Sequence, residues 1–107
     1  MCIMVIEKKV MIGDKITMDK TLESMAKVCK ALGHPVRLTI LQLLARQDSY
    51  YCGDIVALVG MAQSTVSHHL KILKEAGLVV TEEEGTFVCY KVEREKMKEV
   101  AGLLLKF

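Results

Sequence analysis

The stretch Ala62–Val79, AQSTVSHHLKILKEAGLV, combines an apolar stripe with a polar face. On an α-helix, residues three and four positions apart are neighbours, so one side carries Val66, His69, Leu70 and Leu73. The other side has short polar residues at its start and a cation further along: Gln63, Ser64, Thr65, Ser67, His68, Lys71 and Glu75. Short hydroxyls and amides allow a helix to approach base edges, and lysines suit phosphates. The pattern predicts a helix with one side buried and the other facing DNA, although a solvated surface helix would also be polar.

The segments around this helix fit a helix-turn-helix followed by a hairpin. CGDIVALVG predicts a short helix that ends at Gly60, about four residues before the next helix, which ends at Gly77. Beyond Gly77 the apolar period changes from 3.6 to 2, so LVVTEE and TFVCYKV predict two strands around a turn at Glu84–Gly85. Strand alternation places one set inward and the other outward: Val88, Tyr90 and Val92 against Phe87, Cys89 and Lys91.

Three further helices are predicted outside this unit. The first covers residues 21–32, and its apolar positions share one face: Leu22, Met25, Ala26, Cys29 and Leu32. Gly33 ends it, His34 precedes the next helix, and Pro35 suits that helix's first turn. PVRLTILQLLAR is apolar almost all round, as in a central core helix with Val36, Ile40, Leu43 and Leu44 inward, and QDSYY after it predicts a turn. REKMKEVAGLLLKF predicts an amphipathic closing helix. The predicted fold class is mostly α with a small β-hairpin wing (α+β).

Composition sets the outer limits. The chain has 107 residues, which suits one domain, with residues 1–20 expected to form an N-terminal arm and residues 21–107 the folded unit. It is 51% hydrophobic but only 5% aromatic, and so much aliphatic surface favours a dimer. The net charge of +2 does not by itself indicate nucleic-acid binding. No apolar run approaches the roughly 20 residues that span a bilayer, and no secretory signal is evident, so a cytoplasmic protein without membrane contact is expected.

Three segments together, KALGHPVRLTILQLL, AQSTVSHHLKILKEAGLV and GTFVCYKV, resemble the ArsR/SmtB family of winged-helix repressors over residues 21–107. The resemblance implies a homodimer, formed through the first and last helices, that binds a pseudo-palindromic operator in double-stranded DNA. In that family an inducer, often a metal or metalloid, releases the repressor. Carried over by position, the DNA-binding residues are Gln63, Ser64, Thr65, Ser67, His68 and Lys71 on the reading helix, with Lys91 on the wing.

Two local features depart from the family pattern. Ala62 stands where many members place a capping Ser or Asp, and a missing cap costs about 1 kcal/mol. The wing tip, EEEGT, is acidic where such tips are commonly basic, so Glu82, Glu83 and Glu84 should be repelled by phosphate. We therefore do not expect the wing tip to grip DNA.

The sensing site is left open by the sequence. The last helix contains no His or Asp, so the zinc site of some members is absent. A soft ion such as As(III) requires two or three thiolates, and only Cys52 lies where arsenic-type members place a Cys-x-Cys pair. Cys2 on the arm could complete such a site across the dimer. A thiol switch among Cys29, Cys52 and Cys89 is a further alternative, although Cys29 is expected to be a small buried hydrophobe. An unrelated inducer, or none, also fits.

Other functional classes fit less well. The chain contains no Gly-rich phosphate loop, nucleophile elbow or His-x-x-x-His motif, so we do not expect an enzyme. His69 lies on the inward stripe and should be a packed, hydrogen-bonded residue. A winged helix that serves only as a protein-interaction module remains the alternative, because the acidic wing and modest net charge permit it. The function that the sequence favours is a dimeric DNA-binding transcriptional repressor.

Overall fold

Five helices and a three-stranded antiparallel sheet make up the computed structural model, which describes residues 19–47 and 49–107. The helices are α1 (Lys20–Leu32), α2 (Pro35–Leu44), α3 (Cys52–Val59), α4 (Gln63–Glu75) and α5 (Arg94–Leu105). The strands are β1 (Tyr50–Tyr51), β2 (Val79–Glu84) and β3 (Phe87–Val92), in the order β1-β3-β2. This is the predicted helix-turn-helix with a hairpin wing. Of the predicted arm, only the last two residues are among those described. Lys20 begins α1, and Asp19 caps this helix by accepting the Thr21 N–H at 2.8 Å.

The junction between α1 and α2 follows the predicted stop and start. Gly33 is the C-cap of α1, and Pro35 occupies the first position of α2, where its missing N–H costs nothing. His34 is the N-cap of α2, and its Nδ1 accepts the Val36 N–H at 3.1 Å. The prediction that His34 marks the start of a helix is therefore confirmed, with the imidazole acting as the cap.

The core forms where α2 meets α3, α4 and the start of β2. On α2 the fully buried residues are Ile40 and Leu44, and Ile55 and Leu73 join them from α3 and α4. Val36, predicted to point inward, is partly buried at the edge of this cluster. Aliphatic side chains that interdigitate in this way are what the composition predicts. Among the described residues, no helix combines the length and apolarity needed to cross a membrane.

The buried face of α1 differs from the predicted one. Its core contacts come from Met25, Val28 and Ala31, whereas Leu22 and Cys29 of the predicted stripe are exposed. The prediction that Cys29 is a buried hydrophobe is therefore wrong for the single protomer. The helix carries two adjacent apolar strips, one with Leu22 and Cys29 and the other with Val28 and Ala31. The spacing predicted that the first would be buried, but the second packs against α2 and α4.

The sheet contains a strand that the sequence analysis missed. Tyr50 and Tyr51, predicted to lie in a turn, pair antiparallel with Tyr90 and Cys89 of β3. The side chains of directly opposed residues project to the same face, so Tyr51 covers Cys89. Cys89 is only 1% exposed, and the prediction that it lies accessible on the outer face is wrong.

The hairpin turn lies one residue beyond its predicted place. Glu84 pairs with Phe87, so the loop is Gly85–Thr86, and Gly85 takes the positive φ of +63° that its first position needs. Val88, predicted inward, is exposed near this loop. Tyr90 and Val92, further along the same strand, do pack against the core as predicted.

Candidate nucleic-acid interface

The two helices of the helix-turn-helix are joined by Gly60–Ala62. Gly60 takes a left-handed conformation with φ 76° and closes α3 by donating to the Val56 carbonyl at 2.9 Å. At the other end of α4, the Gly77 and Leu78 N–H groups donate to Lys74 and Leu73 at 3.0 Å, with Gly77 at φ 81°. These two bonds form a Schellman motif, which fixes how the chain leaves α4 and enters β2.

Helix α4 is divided into the two predicted sides. Its buried residues are Val66, His69, Leu70 and Leu73, the same four that the spacing placed inward. The six side chains predicted to face DNA are all exposed: Gln63, Ser64, Thr65, Ser67, His68 and Lys71. The orientation of the helix is thus as predicted, and contact of these side chains with DNA remains a prediction.

The start of α4 has no side-chain cap, as expected from Ala62. The N–H groups of Thr65 and Val66 both donate to the Ala62 carbonyl at 3.1 Å, which leaves the earlier N–H groups of the first turn to other partners. Exposed N–H groups at a helix N-terminus, beside hydroxyl side chains, are suited to donate hydrogen bonds to a phosphate oxygen.

The chain's three histidines and Arg37 form a cluster around His69, on the buried side of α4. The His69 ring lies 4.6 Å from the His34 ring and 5.4 Å from the His68 ring, centre to centre. Arg37 Nη1 lies 3.3 Å from His69 Nδ1. Burial lowers the pKa of His69, and electrostatic interaction with His34, Arg37 and His68 lowers it further. His69 is thus the packed, hydrogen-bonded residue that the sequence predicts, and Arg37 is a partner that the sequence analysis missed.

The candidate sensor residue Cys52 lies at the start of α3, beside α4. Cys52 is partly exposed, and its Sγ is 3.9 Å from the Ser67 Oγ. Cys2, its proposed partner, lies outside the described residues. Within residues 19–47 and 49–107, no group of three His, Cys, Asp or Glu side chains could hold a metal ion. A soft-ion site at Cys52 would therefore need ligands from elsewhere.

The wing presents acidic residues, as predicted. Glu82, Glu83 and Glu84 are exposed, and Lys91 Nζ donates to both carboxylate oxygens of Glu82 at 3.1 Å. Lys91 therefore offers DNA a cation that is already paired. The Cys89 thiol donates to Glu84 Oε1 at 2.9 Å. This bond to the carboxylate raises the pKa of Cys89, and burial raises it further, so Cys89 has little of the thiolate that a redox switch requires.

Two cations of α4, Lys71 and Lys74, are exposed. The ion pairs of the described residues lie on the wing and α5, as Lys91–Glu82, Lys96–Glu99 and Lys98–Glu95. Lys71 and Lys74 of α4 form no ion pair with any described residue. Within the described residues the same holds for Lys27 and Lys30 of α1, so the cations of both helices are open to an external anion.

An apolar groove of about 240 Å³ lies between α1 and α5. It is lined by Leu22, Met25, Ala26, Cys29, Leu104 and Phe107. None of these side chains is charged, and Leu22 and Leu104 are each 45% exposed. The exposed strip of α1 is thus continuous with apolar residues at the C-terminal end of α5.

Comparison with known proteins identifies the family. The family model of bacterial regulatory proteins of the arsR family matches residues 34–81. An uncharacterized HTH-type transcriptional regulator of Methanocaldococcus jannaschii is 42% identical over 82 residues, which cover 77% of this chain and 92% of that protein. The transcriptional repressor SdpR of Bacillus subtilis is 32% identical over 83 residues, covering 78% and 91%.

A solved structure agrees with the fold. The solution structure of the homodimeric winged helix-turn-helix DNA-binding domain of a possible ArsR-family regulator from Mycobacterium bovis superposes with a TM-score of 0.72 and 32% identity, covering 89% of this chain and 88% of that one. The relatives matched here are transcriptional regulators and not enzymes, which agrees with the absence of catalytic motifs. The chain belongs to the arsR family of bacterial regulatory proteins, which are winged-helix DNA-binding transcriptional regulators.

Proposed function

We propose that this chain is a homodimeric repressor that reads a pseudo-palindromic operator through α4. The observation that carries the proposal is the division of α4 into a buried apolar side and an exposed side with short polar residues and lysines. Ser67 and His68 are the right length to reach base edges, and Lys71 is suited to a phosphate. The repressor SdpR among its relatives supports the repressor role.

The dimer in this proposal buries the apolar groove between α1 and α5. Two copies of α4 would then enter successive major grooves about 10 base pairs apart, which is the spacing that a two-fold axis imposes on half-sites. A homodimeric domain among the similar structures supports this assembly. The strip of α1 that was predicted to lie in the core is exposed in the protomer, and in this dimer it would form part of the interface.

Salt dependence of duplex binding tests the proposal against the alternative interaction module. If Lys71 and Lys74 of both protomers contact phosphates, log K should fall against log salt with a slope of about −3 to −4, because each contact contributes about −0.9. The duplex would be one selected from a random pool by the protein itself. Fluorescence anisotropy between low and moderate salt gives the slope.

The matched control compares lysines in different settings. Lys71→Ala should make the slope less steep by about 2, one contact for each protomer, whereas Lys98→Ala on α5 should leave the slope unchanged. No selection of any duplex, at any salt concentration, would instead support the interaction module and reject the DNA-binding proposal for this chain.

We further propose that Cys52 belongs to the inducer site, for a soft metal ion such as As(III). Its Sγ is 3.9 Å from a hydroxyl of the reading face, so a ligand on Cys52 would displace Ser67 or its helix. Cys2 of the N-terminal arm is the candidate second thiolate. Cys89 is disfavoured because it is buried and hydrogen-bonded.

The test adds arsenite, zinc, cadmium or an oxidant to a preformed protein–duplex complex. We expect release by arsenite from the unmodified chain and no release from Cys52→Ser, with unchanged basal fold. Cys89→Ser is the matched control and should still be released, because its thiol is covered by Tyr51 and bonded to Glu84. Equal release of the Cys52→Ser variant would rule Cys52 out as a ligand.

A further inference from the structure

The cluster of His34, His68, His69 and Arg37 links the reading helix to the body of the protein through polar contacts. Arg37 donates through Nε to the Ala31 carbonyl at 2.6 Å and through Nη2 to the Lys30 carbonyl at 3.3 Å. Both carbonyls belong to the last turn of α1. Because the same guanidinium reaches His69 on α4, one side chain of α2 holds three helices together.

The hydrogen-bond roles at His69 follow from the chemistry of its partner. A guanidinium has donors only, so His69 Nδ1 must accept, and its ring must carry its proton on Nε2. His34 Nδ1 likewise accepts, from the Val36 N–H. A proton on His69 Nδ1 would convert the acceptor into a donor that faces another donor, and would set two cations side by side.

The surroundings of His69 offer no compensation for a positive charge. From α2 and its cap the ring meets Arg37 and His34, and from α4 itself it meets His68. From α1, Lys27 and Lys30 line the groove beside Arg37, where Glu75 of α4 is the one carboxylate. Glu75 lies six residues along α4, roughly 9 Å from His69 by helical rise.

The carboxylates of the two other elements that pack against α4 are not among the groups that act on the pKa of His69. On α3, Cys52 contacts Ser67 of α4, and Asp54 accepts the Tyr51 N–H at 3.4 Å at the start of its own helix. β2 begins with Val79, Val80 and Thr81, and its glutamates start at Glu82. His69 is 7% exposed, so water does not screen a charge on its ring well from the Arg37 guanidinium.

We propose that His69, held between Arg37 and His34, positions the reading helix for DNA only while its ring is neutral, so that mild acid releases this protein from DNA. This rests on the proposed DNA-binding function and adds a regulation to it. His69 itself is a positioning residue, because its side chain points into the protein and acts through the exposed residues next to it.

The effect on stability has a definite sign. Because the His69 pKa is lowered from the ordinary 6.5 in the folded chain, the unfolded chain binds the proton more tightly. The contribution of neutral His69 to the free energy of unfolding is therefore complete above about pH 6.5 and is lost as the pH falls below that value. DNA binding should follow, since an α4 that is loosened from Arg37 no longer presents a fixed face.

The first test measures affinity for the selected duplex at about pH 7.5 and about pH 5.5, on either side of the ordinary His pKa. We expect the affinity of the unmodified protein to fall by about tenfold or more at the lower pH, which is the factor that one hydrogen bond to a charged group contributes. His69→Gln keeps an acceptor for Arg37 but cannot titrate. Its affinity for the selected duplex should therefore fall by less than about threefold between the two pH values. His68→Gln, whatever its affinity at the higher pH, should still lose affinity at the lower pH as the unmodified protein does. Equal losses in His69→Gln and the unmodified protein would overturn the proposal.

The second test needs no variant. By linkage, a complex that requires neutral His69 must itself lower the His69 pKa, whereas a phosphate contact at His69 would raise it. NMR titration of the His69 ring in free and DNA-bound protein decides between the two, and a raised or unchanged pKa contradicts the proposal. Absence of any binding at about pH 7.5 would reject the DNA-binding function itself, whereas binding that is indifferent to acid would reject only the histidine mechanism.

Discussion

The double substitution Leu22→Glu with Leu104→Glu should convert the proposed dimer to monomers and weaken binding to the selected duplex by about 100-fold or more. Linking two binding units makes the second contact intramolecular, which raises overall affinity by about 10² to 10⁴. Both leucines line the apolar groove between α1 and α5, and each is 45% exposed in the single protomer. A glutamate at either position would be buried without a partner if the groove is the interface.

Sedimentation equilibrium measures the change directly, as a mass that falls from two chains to one. Leu38→Glu is the matched control, because Leu38 is 51% exposed but lies on α2 outside the groove. We expect that variant to remain dimeric. A double variant that stays dimeric, with unchanged affinity, would place the interface on another surface.

The bounds and the buried side of α4 could be predicted from the sequence because the physical signal of this helix is local. Val66, His69, Leu70 and Leu73 follow the helical period without interruption, and Gly77 ends the helix in the conformation that glycine favours. The buried side chains and the six exposed candidates follow from that period alone. The hairpin was found for the same reason, with an error of one residue at its turn.

The errors came from contacts between residues far apart in sequence. Cys89 was placed outward because strand alternation does not reveal that Tyr51 pairs opposite it across the sheet. Cys29 was placed inward because α1 has two apolar strips, and only packing decides which one meets α2 and α4. The Arg37–His69 contact joins residues 32 positions apart, and neither residue carries a local sign of the other.

Substitutions on the exposed side of α4 should separate affinity from sequence preference. Lys71→Ala should weaken binding to the selected duplex and to a scrambled duplex by the same factor, because a phosphate contact carries no sequence information. Ser67→Ala and His68→Ala should weaken binding to the selected duplex alone. A good base contact is worth about 1–3 kcal/mol, so each change should reduce the preference by about 5-fold to 150-fold.

The position of Ser67 and His68 makes this a test of geometry as well as of chemistry. Both side chains are exposed next to buried Val66 and His69, so replacing them with alanine should leave the core of α4 intact. Circular dichroism and the free energy of unfolding should therefore remain close to those of the unmodified protein. Leu73→Ala, which removes a fully buried side chain, should instead lower that free energy by about 2–5 kcal/mol.

The ratio of dissociation constants for the scrambled and the selected duplex, compared between the unmodified protein and Ser67→Ala/His68→Ala, is the most direct measurement of what α4 does. A reading helix predicts that the ratio collapses towards one while the fold is retained. A ratio that stays at its original value, with both side chains removed, would mean that sequence is read by some other part of the molecule.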